Sequence, residues 1–156
     1  IGYISTCYDP YGRSTVLNLL PKNIRKGLYP IGRLDSDSRG ALLLTNQGGL
    51  TLKLTHPRYM HTKSYNVWVH GHPSLEVIEH WRQGVILEGK VTLRTIVKVL
   101  QSNRKETLLK VVMREGRNRQ IRRIASQLGH PVVIGPYKGL RFWGFAIGEG
   151  LHFSGL

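Results

Sequence analysis

Two β-branched runs, Thr95-Ile96-Val97-Lys98-Val99-Leu100 and Thr107-Leu108-Leu109-Lys110-Val111-Val112-Met113, lie either side of the polar stretch Ser102-Asn103-Arg104-Lys105. Branching at Cβ favours extended backbone, and a short polar break rich in turn residues joins neighbouring antiparallel strands. The pair predicts a hairpin. Working outward, residues 64–70 alternate, with Tyr65, Val67 and Val69 on one face and Asn66, Trp68 and His70 on the other. Ser74 reads as an N-cap with Glu76 in the first turn, and Val77, Ile78, Trp81 and Val85 recur at helical spacing. Residues 118–128 predict a second helix, ended by Gly129 at C′ and Pro131 beyond. Towards the N-terminus, residues 2–6 read as a strand and Tyr8-Asp9-Pro10-Tyr11-Gly12 as a turn. Residues 16–20 read as a short helix stopped by Pro21, and 28–31 and 41–45 as strands flanking a polar loop, 32–40. Strands outnumber helices and several are hairpin-connected. The fold class is therefore α+β, a mixed and largely antiparallel sheet with flanking helices.

The 156 residues fit one domain, and no repeat, low-complexity tract or linker divides residues 1–156. Forty per cent apolar residues and a mean hydropathy of −0.22 fit a folded globular chain. Twenty-three Lys and Arg against nine Asp and Glu give a net charge of +14, which points to a polyanion, nucleic acid first, as partner. A single cysteine, Cys7, cannot form an internal disulfide or anchor a zinc cluster, and favours a reducing compartment. No apolar run approaches the roughly 20 residues that span a bilayer. The chain opens on a strand-like segment without Met, as expected of a piece of something longer.

Two segments carry most of the chemistry. In Met113-Arg114-Glu115-Gly116-Arg117-Asn118-Arg119-Gln120-Ile121-Arg122-Arg123, helical spacing puts Ile121, Ile124, Ala125 and Leu128 on a core-facing stripe. Arg119, Arg122 and Arg123 form a second stripe, crowded with like charge at a helix N-terminus, where the dipole disfavours cations. That placement calls for anions nearby: phosphates, a buried carboxylate, or both. The plain alternative is a solvated basic face. In the loop Gly32-Arg33-Leu34-Asp35-Ser36-Asp37-Ser38-Arg39-Gly40 lie two of the chain's three aspartates. Asp37, followed by Ser38 and Gly40, reads as local Asx-turn chemistry, whereas spacing alone does not decide the role of Asp35. Seven histidines, with His70 and His72 on one strand face and His56 and His61 five apart, lack a Cys or clustered carboxylate to complete a metal site. No metal is expected, and His130 before Pro131 reads as a cap or an RNA contact. Tyr65 fits strand packing, or stacking on a base in a basic cleft.

Taken together, the motifs resemble the RNA pseudouridine synthases, and more narrowly their RsuA-type branch, which modifies bacterial ribosomal RNA. Gly32-Arg33-Leu34-Asp35-x-Asp37-Ser38-x-Gly40-x-Leu42-Leu43-Leu44-Thr45-Asn46 is similar to the central motif. Glu115 to Arg123, then Leu128-Gly129-His130-Pro131-Val132, is similar to the C-terminal one. Gly2-Tyr3-Ile4-Ser5-Thr6, Asp9-Pro10-x-Gly12-Arg13-x-Thr15-Val16, His56-Pro57-Arg58-Tyr59 and Lys63-x-Tyr65-x-Val67 match the rest in order.

The resemblance implies a catalytic domain with a central basic cleft, Asp35 as catalytic carboxylate, Tyr65 as active-site tyrosine, and Arg122 as the basic residue pairing Asp35. Arg33, Arg39, Lys63, Arg117, Arg119 and Arg123 are the expected RNA contacts. No metal or organic cofactor is implied, the expected partner is ribosomal RNA (23S rather than 16S, on Arg117-Asn118-Arg119 and Asp9-Pro10-x-Gly12-Arg13), and a monomer in the bacterial cytoplasm is expected. Several features depart from the family. The S4-type RNA-binding domain and the Asn-Lys-Pro that usually precede Gly2 are absent from this chain, and Ala41 and Gln47 replace commoner Leu and Asp. Ile134 to Gly139 intervenes before Leu140 and Arg141, where an apolar base-packing residue is expected. Two other classes stand beside this reading: a non-catalytic RNA-binding module, and a glycosidase using Asp35 and Asp37, which fits a +14 chain poorly.

Overall fold

The computed structural model describes residues 2–59, 61–134, 140–147 and 151–154. In chain order the strands are β1 (Tyr29–Pro30), β2 (Arg39–Gly40), β3 (Leu44–Thr45), β4 (Thr62–His70), β5 (Ile86–Leu87), β6 (Lys90–Val91), β7 (Ile96–Ser102), β8 (Glu106–Met113), β9 (Leu140–Ile147) and β10 (Leu151–Ser154). The α-helices are α1 (Gly48–Thr55), α2 (Leu75–Gln83) and α3 (Gln120–Gln127), and short 3₁₀ helices cover Val16–Leu19, where the sequence predicts a short helix, and Pro57–Tyr59.

The main sheet runs β10-β9-β4-β8-β7, every neighbour antiparallel, and β2 joins β9 in parallel. The expected hairpin forms, with Ile96 opposite Val112 and Ser102 opposite Thr107, and Asn103 Oδ1 accepts the backbone N–H groups of Lys105 and Glu106 in its turn. Alternation on β4 and β8 sends Val67, Val69, Leu109 and Val111 into the interior, where none has any exposed surface. Against them pack Ile78 and Trp81 of α2, Val97 of β7, and Ile121, Ile124 and Ala125 of α3, with Leu128 at the margin. The apolar stripe of the arginine-rich helix is thus the one that anchors it.

Local chemistry sets the helix limits. Ser74 Oγ accepts the Val77 N–H, and Gly84 ends α2 at φ 115°, where a Cβ would lie 2.5 Å from the Thr92 carbonyl. Val85 therefore lies beyond the helix, though still in the core. Helix α3 closes in a Schellman motif, Gly129 N–H bonding Ser126 O and His130 N–H bonding Ala125 O.

Four expectations need correction. Residues 2–6 make one bridge, Ile4 to Thr15, rather than a strand. The strands expected at 28–31 and 41–45 shrink to two residues each, paired with each other, and Arg39–Gly40 of the expected loop is itself a strand. Helix α3 begins at Gln120, because Arg119 takes a left-handed conformation, φ 47°. His70 and His72 do not share a strand face: Gly71 turns the chain at φ 74°, and His72 Nδ1 meets Thr107 Oγ1 instead. Helix α1, opened by Gly48-Gly49 and burying Leu54 alone, carries too weak an apolar stripe to read from sequence.

Candidate active site

The loop that carries both aspartates is strapped down from the N-terminal segment. Ser5 Oγ donates to Leu34 O at 3.0 Å and accepts from Leu34 N at 3.1 Å, and Gly2 N–H reaches Ser36 O. Within the loop, Ser38 N–H bonds Asp35 O, so the backbone turns between the two carboxylates. The Asp9 carboxylate, gripped by the Arg13 guanidinium and by the Tyr11 and Arg13 amides, is held down to about 2 and fixes the turn of the strap.

Across the loop stand the residues at the start of α3. Arg119 lays its fork on Asp37, at 3.0 and 3.2 Å, and reaches Asp35 Oδ2 at 3.7 Å with Nη1. Arg122, its side chain only 10% exposed, puts Nη2 3.3 Å from both Asp37 Oδ1 and the Asp37 carbonyl. Asp37 is thus the anion between two guanidiniums rather than a local Asx-turn. The carboxylate that Arg122 meets is Asp37, not Asp35. Burial pushes the Asp37 carboxyl up, but the Arg119 hydrogen bonds and the Arg122 charge outweigh it and leave it lowered.

A cleft of about 270 Å³ opens beside this cluster, lined by Arg33, Asp35, Ser38, Lys63, Tyr65 and Arg119 among others. Lys63 and Tyr65 enter it from β4. Burial, and secondarily the charge of Asp35, push the Tyr65 phenol up to about 12. Burial lowers the Lys63 ammonium. The Lys63 head lies so close to Gly116 that a Cβ there would come within 2.9 Å of Nζ.

Asp35, Tyr65, Lys63, Arg33 and Arg119 therefore meet in one place. Arg39 is exposed on β2, and Arg123 pairs with Glu88 at 2.9 Å. Arg117, expected as an RNA contact, lines the cleft but gives its guanidinium to protein groups. Its three guanidinium nitrogens bond Glu115 and the carbonyls of Leu87, Lys90 and Val91, which ties the β5–β6 hairpin to the approach of α3. Glu115, which the sequence did not single out, also accepts from Leu93 N and the buried Gln120 amide. Two of its partners, Arg117 and Gln120, are local, but the third, the Leu93 amide, comes from a segment 22 residues away that no spacing signal links to it.

His130 takes part in the cap of α3 through its backbone N–H on Ala125 O, and its Nδ1 pins the His70 carbonyl at 2.8 Å. His56 and His61 bond the Arg58 amide and the Lys53 carbonyl. Among the described residues no group of three His, Cys, Asp or Glu is placed to hold a metal ion, and no helix is long and apolar enough to cross a membrane. The apolar base-packing residue expected near 134–140 falls largely outside the described residues.

The sequence pattern of the family described as RNA pseudouridylate synthase matches residues 2–127. Ribosomal large subunit pseudouridine synthase B of Bacillus subtilis (strain 168) is 40% identical over 134 residues, 85% of this chain and 54% of that protein. Ribosomal large subunit pseudouridine synthase E of Vibrio parahaemolyticus is 36% identical over 144 residues, 83% of this chain and 59% of that protein. The chain spans about half the length of the curated relatives it matches. A solved structure described as a crystal structure of pseudouridylate synthase superposes with a TM-score of 0.78 at 24% identity, covering 97% of this chain and 61% of that one, a likeness of fold. With the family pattern spanning the aspartate loop, Tyr65 and the arginines of α3, the chain belongs to the RNA pseudouridylate synthases, in their RsuA-type branch.

Proposed function

We propose that this domain isomerises a uridine of ribosomal RNA, in the large-subunit 23S molecule, to pseudouridine, with Asp35 as the catalytic carboxylate. The observation that carries the reading is a carboxylate and a half-buried tyrosine facing one cleft, inside a chain of net charge +14. The reaction breaks the C1′–N1 bond, turns the uracil, joins C1′ to C5, and moves the C5 proton away while N1 gains one. Nothing is oxidised or lost. A carboxylate beside C1′ serves this as nucleophile or as the base that starts a glycal route.

The roles of the neighbours follow from their surroundings. Arg119, 3.7 Å from Asp35, favours the ionised carboxylate. Arg122 acts one step removed, by fixing Asp37 and through it Arg119. Tyr65 stacks on the uracil as a neutral phenol, since a group ionising at about 12 stays protonated at neutral pH. Turning the base out of folded RNA costs a few kcal/mol. The exposed Arg33 and Arg39 offset this through phosphate contacts, with Arg123 further along α3. The proposed protein works as a monomer in the bacterial cytoplasm, without metal or organic cofactor.

A non-catalytic RNA-binding module accounts for the charge but gives no reason to aim Asp35 and Tyr65 into one cleft. Two carboxylates acting as a glycosidase pair are disfavoured by the two arginines that occupy Asp37. The test is to map pseudouridines in 23S and 16S ribosomal RNA from a strain lacking the gene. One 23S site should be lost and should return with the wild-type gene; an unchanged map in both RNAs would contradict the proposal.

A further inference from the structure

Lys63 brings a further cation, beside Arg33 and Arg119, into the cleft that holds Asp35. Among the described residues no carboxylate lies within 4.0 Å of its ammonium, although Asp35 shares the cleft with it. The acidic groups nearby are already committed: Asp37 to Arg119 and Arg122, and Glu115 to Arg117, Gln120 and the Leu93 amide. The lysine stem runs from β4 into the cleft that Tyr65, two residues on, also lines, their Cα atoms roughly 6–7 Å apart along the strand. The absence of a side chain at Gly116 is what admits the ammonium to this wall of the cleft. A half-buried cation with no counterion is costly in the free protein, and burial lowers its proton affinity accordingly. Such a group becomes favourable when a ligand brings an acceptor to it.

We infer that Lys63 contacts the target nucleotide directly, its ammonium meeting an oxygen that the RNA carries into the cleft beside the base stacked on Tyr65. This rests on the reading of the cleft given above and adds to it the residue that grips the nucleotide. Two oxygens offer the required chemistry, a phosphate flanking the target and a carbonyl of the uracil ring. They differ in what the contact does. A phosphate contact releases a counterion on binding, whereas a carbonyl contact orients the base without altering the salt dependence.

The test uses the full chain and large-subunit ribosomal RNA transcribed in vitro with 5-tritiated uridine. Single-turnover tritium release and the slope of log K against log salt are measured for the wild type, Lys63→Met and Gly116→Ala. If the partner is phosphate, Lys63→Met should flatten the slope by roughly 0.7–0.9. If it is the uracil carbonyl, the slope should hold while the rate falls at least tenfold. Gly116→Ala keeps the charge but displaces the flexible head, so it should slow tritium release several-fold at an unchanged melting temperature. It also decides the matter should Lys63→Met fail to fold. A rate within twofold of wild type together with an unchanged salt slope in the folded variants would overturn the inference. A wild-type protein releasing no tritium would instead count against the isomerase reading, while the slope would still report on Lys63.

Discussion

Burial and the charge of Asp35 both hold the Tyr65 phenol in its neutral form, with ionisation postponed to about 12. The fold therefore favours the protonated tyrosine. Its share of stability is fully present below the ordinary value near 10 and is lost as pH rises from there through 12. The tyrosinate absorbance of wild type minus Tyr65→Phe should accordingly appear only as pH approaches 12, and Asp35→Asn should bring it lower, since burial alone then remains. A midpoint near 10 in folded protein would refute the placement of Tyr65. Asp37 and Arg122 give a second residue-scale expectation. Replacing Asp37 by Asn leaves a guanidinium with little exposed surface short of its carboxylate, at a cost of about 1–3 kcal/mol, less than for complete burial because Asp37 is itself a third exposed. Denaturant midpoints should show Asp37→Asn combined with Arg122→Met costing less than the sum of the two, as coupled partners do.

At the scale of elements, what could be read in the sequence was what periodicity carries. Alternation in β4, the hairpin of β7 and β8, the Ser74 cap, and the Ile121, Ile124, Ala125, Leu128 stripe all hold in the structure, because each depends on neighbours a few residues away. The short pieces near the aspartate loop were harder to read. Their strands are two residues long and exist through pairing with distant segments, as Arg39–Gly40 does with β9. Arg117 illustrates the same limit: a basic residue in a basic motif, its guanidinium spent on the hairpin β5–β6. Arg117→Ala should lower stability by about 1–3 kcal/mol while leaving the salt slope of RNA binding unchanged, because no phosphate contact is lost. A flattened slope at unchanged stability would return it to the RNA surface. The N-terminal strap has its own pH signature. The Asp9 carboxyl lies below its ordinary value of 3.8, so its contribution is present above that value and is lost as pH falls towards 2. Hydrogen exchange in the strap should quicken over that window, and Arg13→Ala should move the onset upward.

For the whole molecule, a net charge of +14 pointed to a polyanion before any motif did, and the structure brings Asp35 and Tyr65, which the motifs singled out, into a common cleft. The sequence could not assign the arginines to their carboxylates. Arg119 and Arg122 lie more than 80 residues along the chain from Asp37, and whether an arginine turns to Asp35, to Asp37 or to Glu88 is a matter of tertiary distance. That assignment changes the expected salt dependence. Arg119 and Arg123 already hold carboxylates, so replacing both by Ala should flatten log K against log salt by less than about one unit. Arg33 and Arg39 are exposed and have no acidic partner among the described residues, so replacing both should flatten it by about one to two. The reverse order would mean that RNA displaces the ion pairs. The account as a whole turns on the carboxylate of Asp35, and the most direct measurement is tritium release from 5-tritiated uridine RNA by folded Asp35→Asn protein beside the wild type. Release by the wild type, none by the variant, and RNA binding retained by both is the predicted result. Full release by Asp35→Asn would contradict it and move the chemistry to another group, Asp37 first.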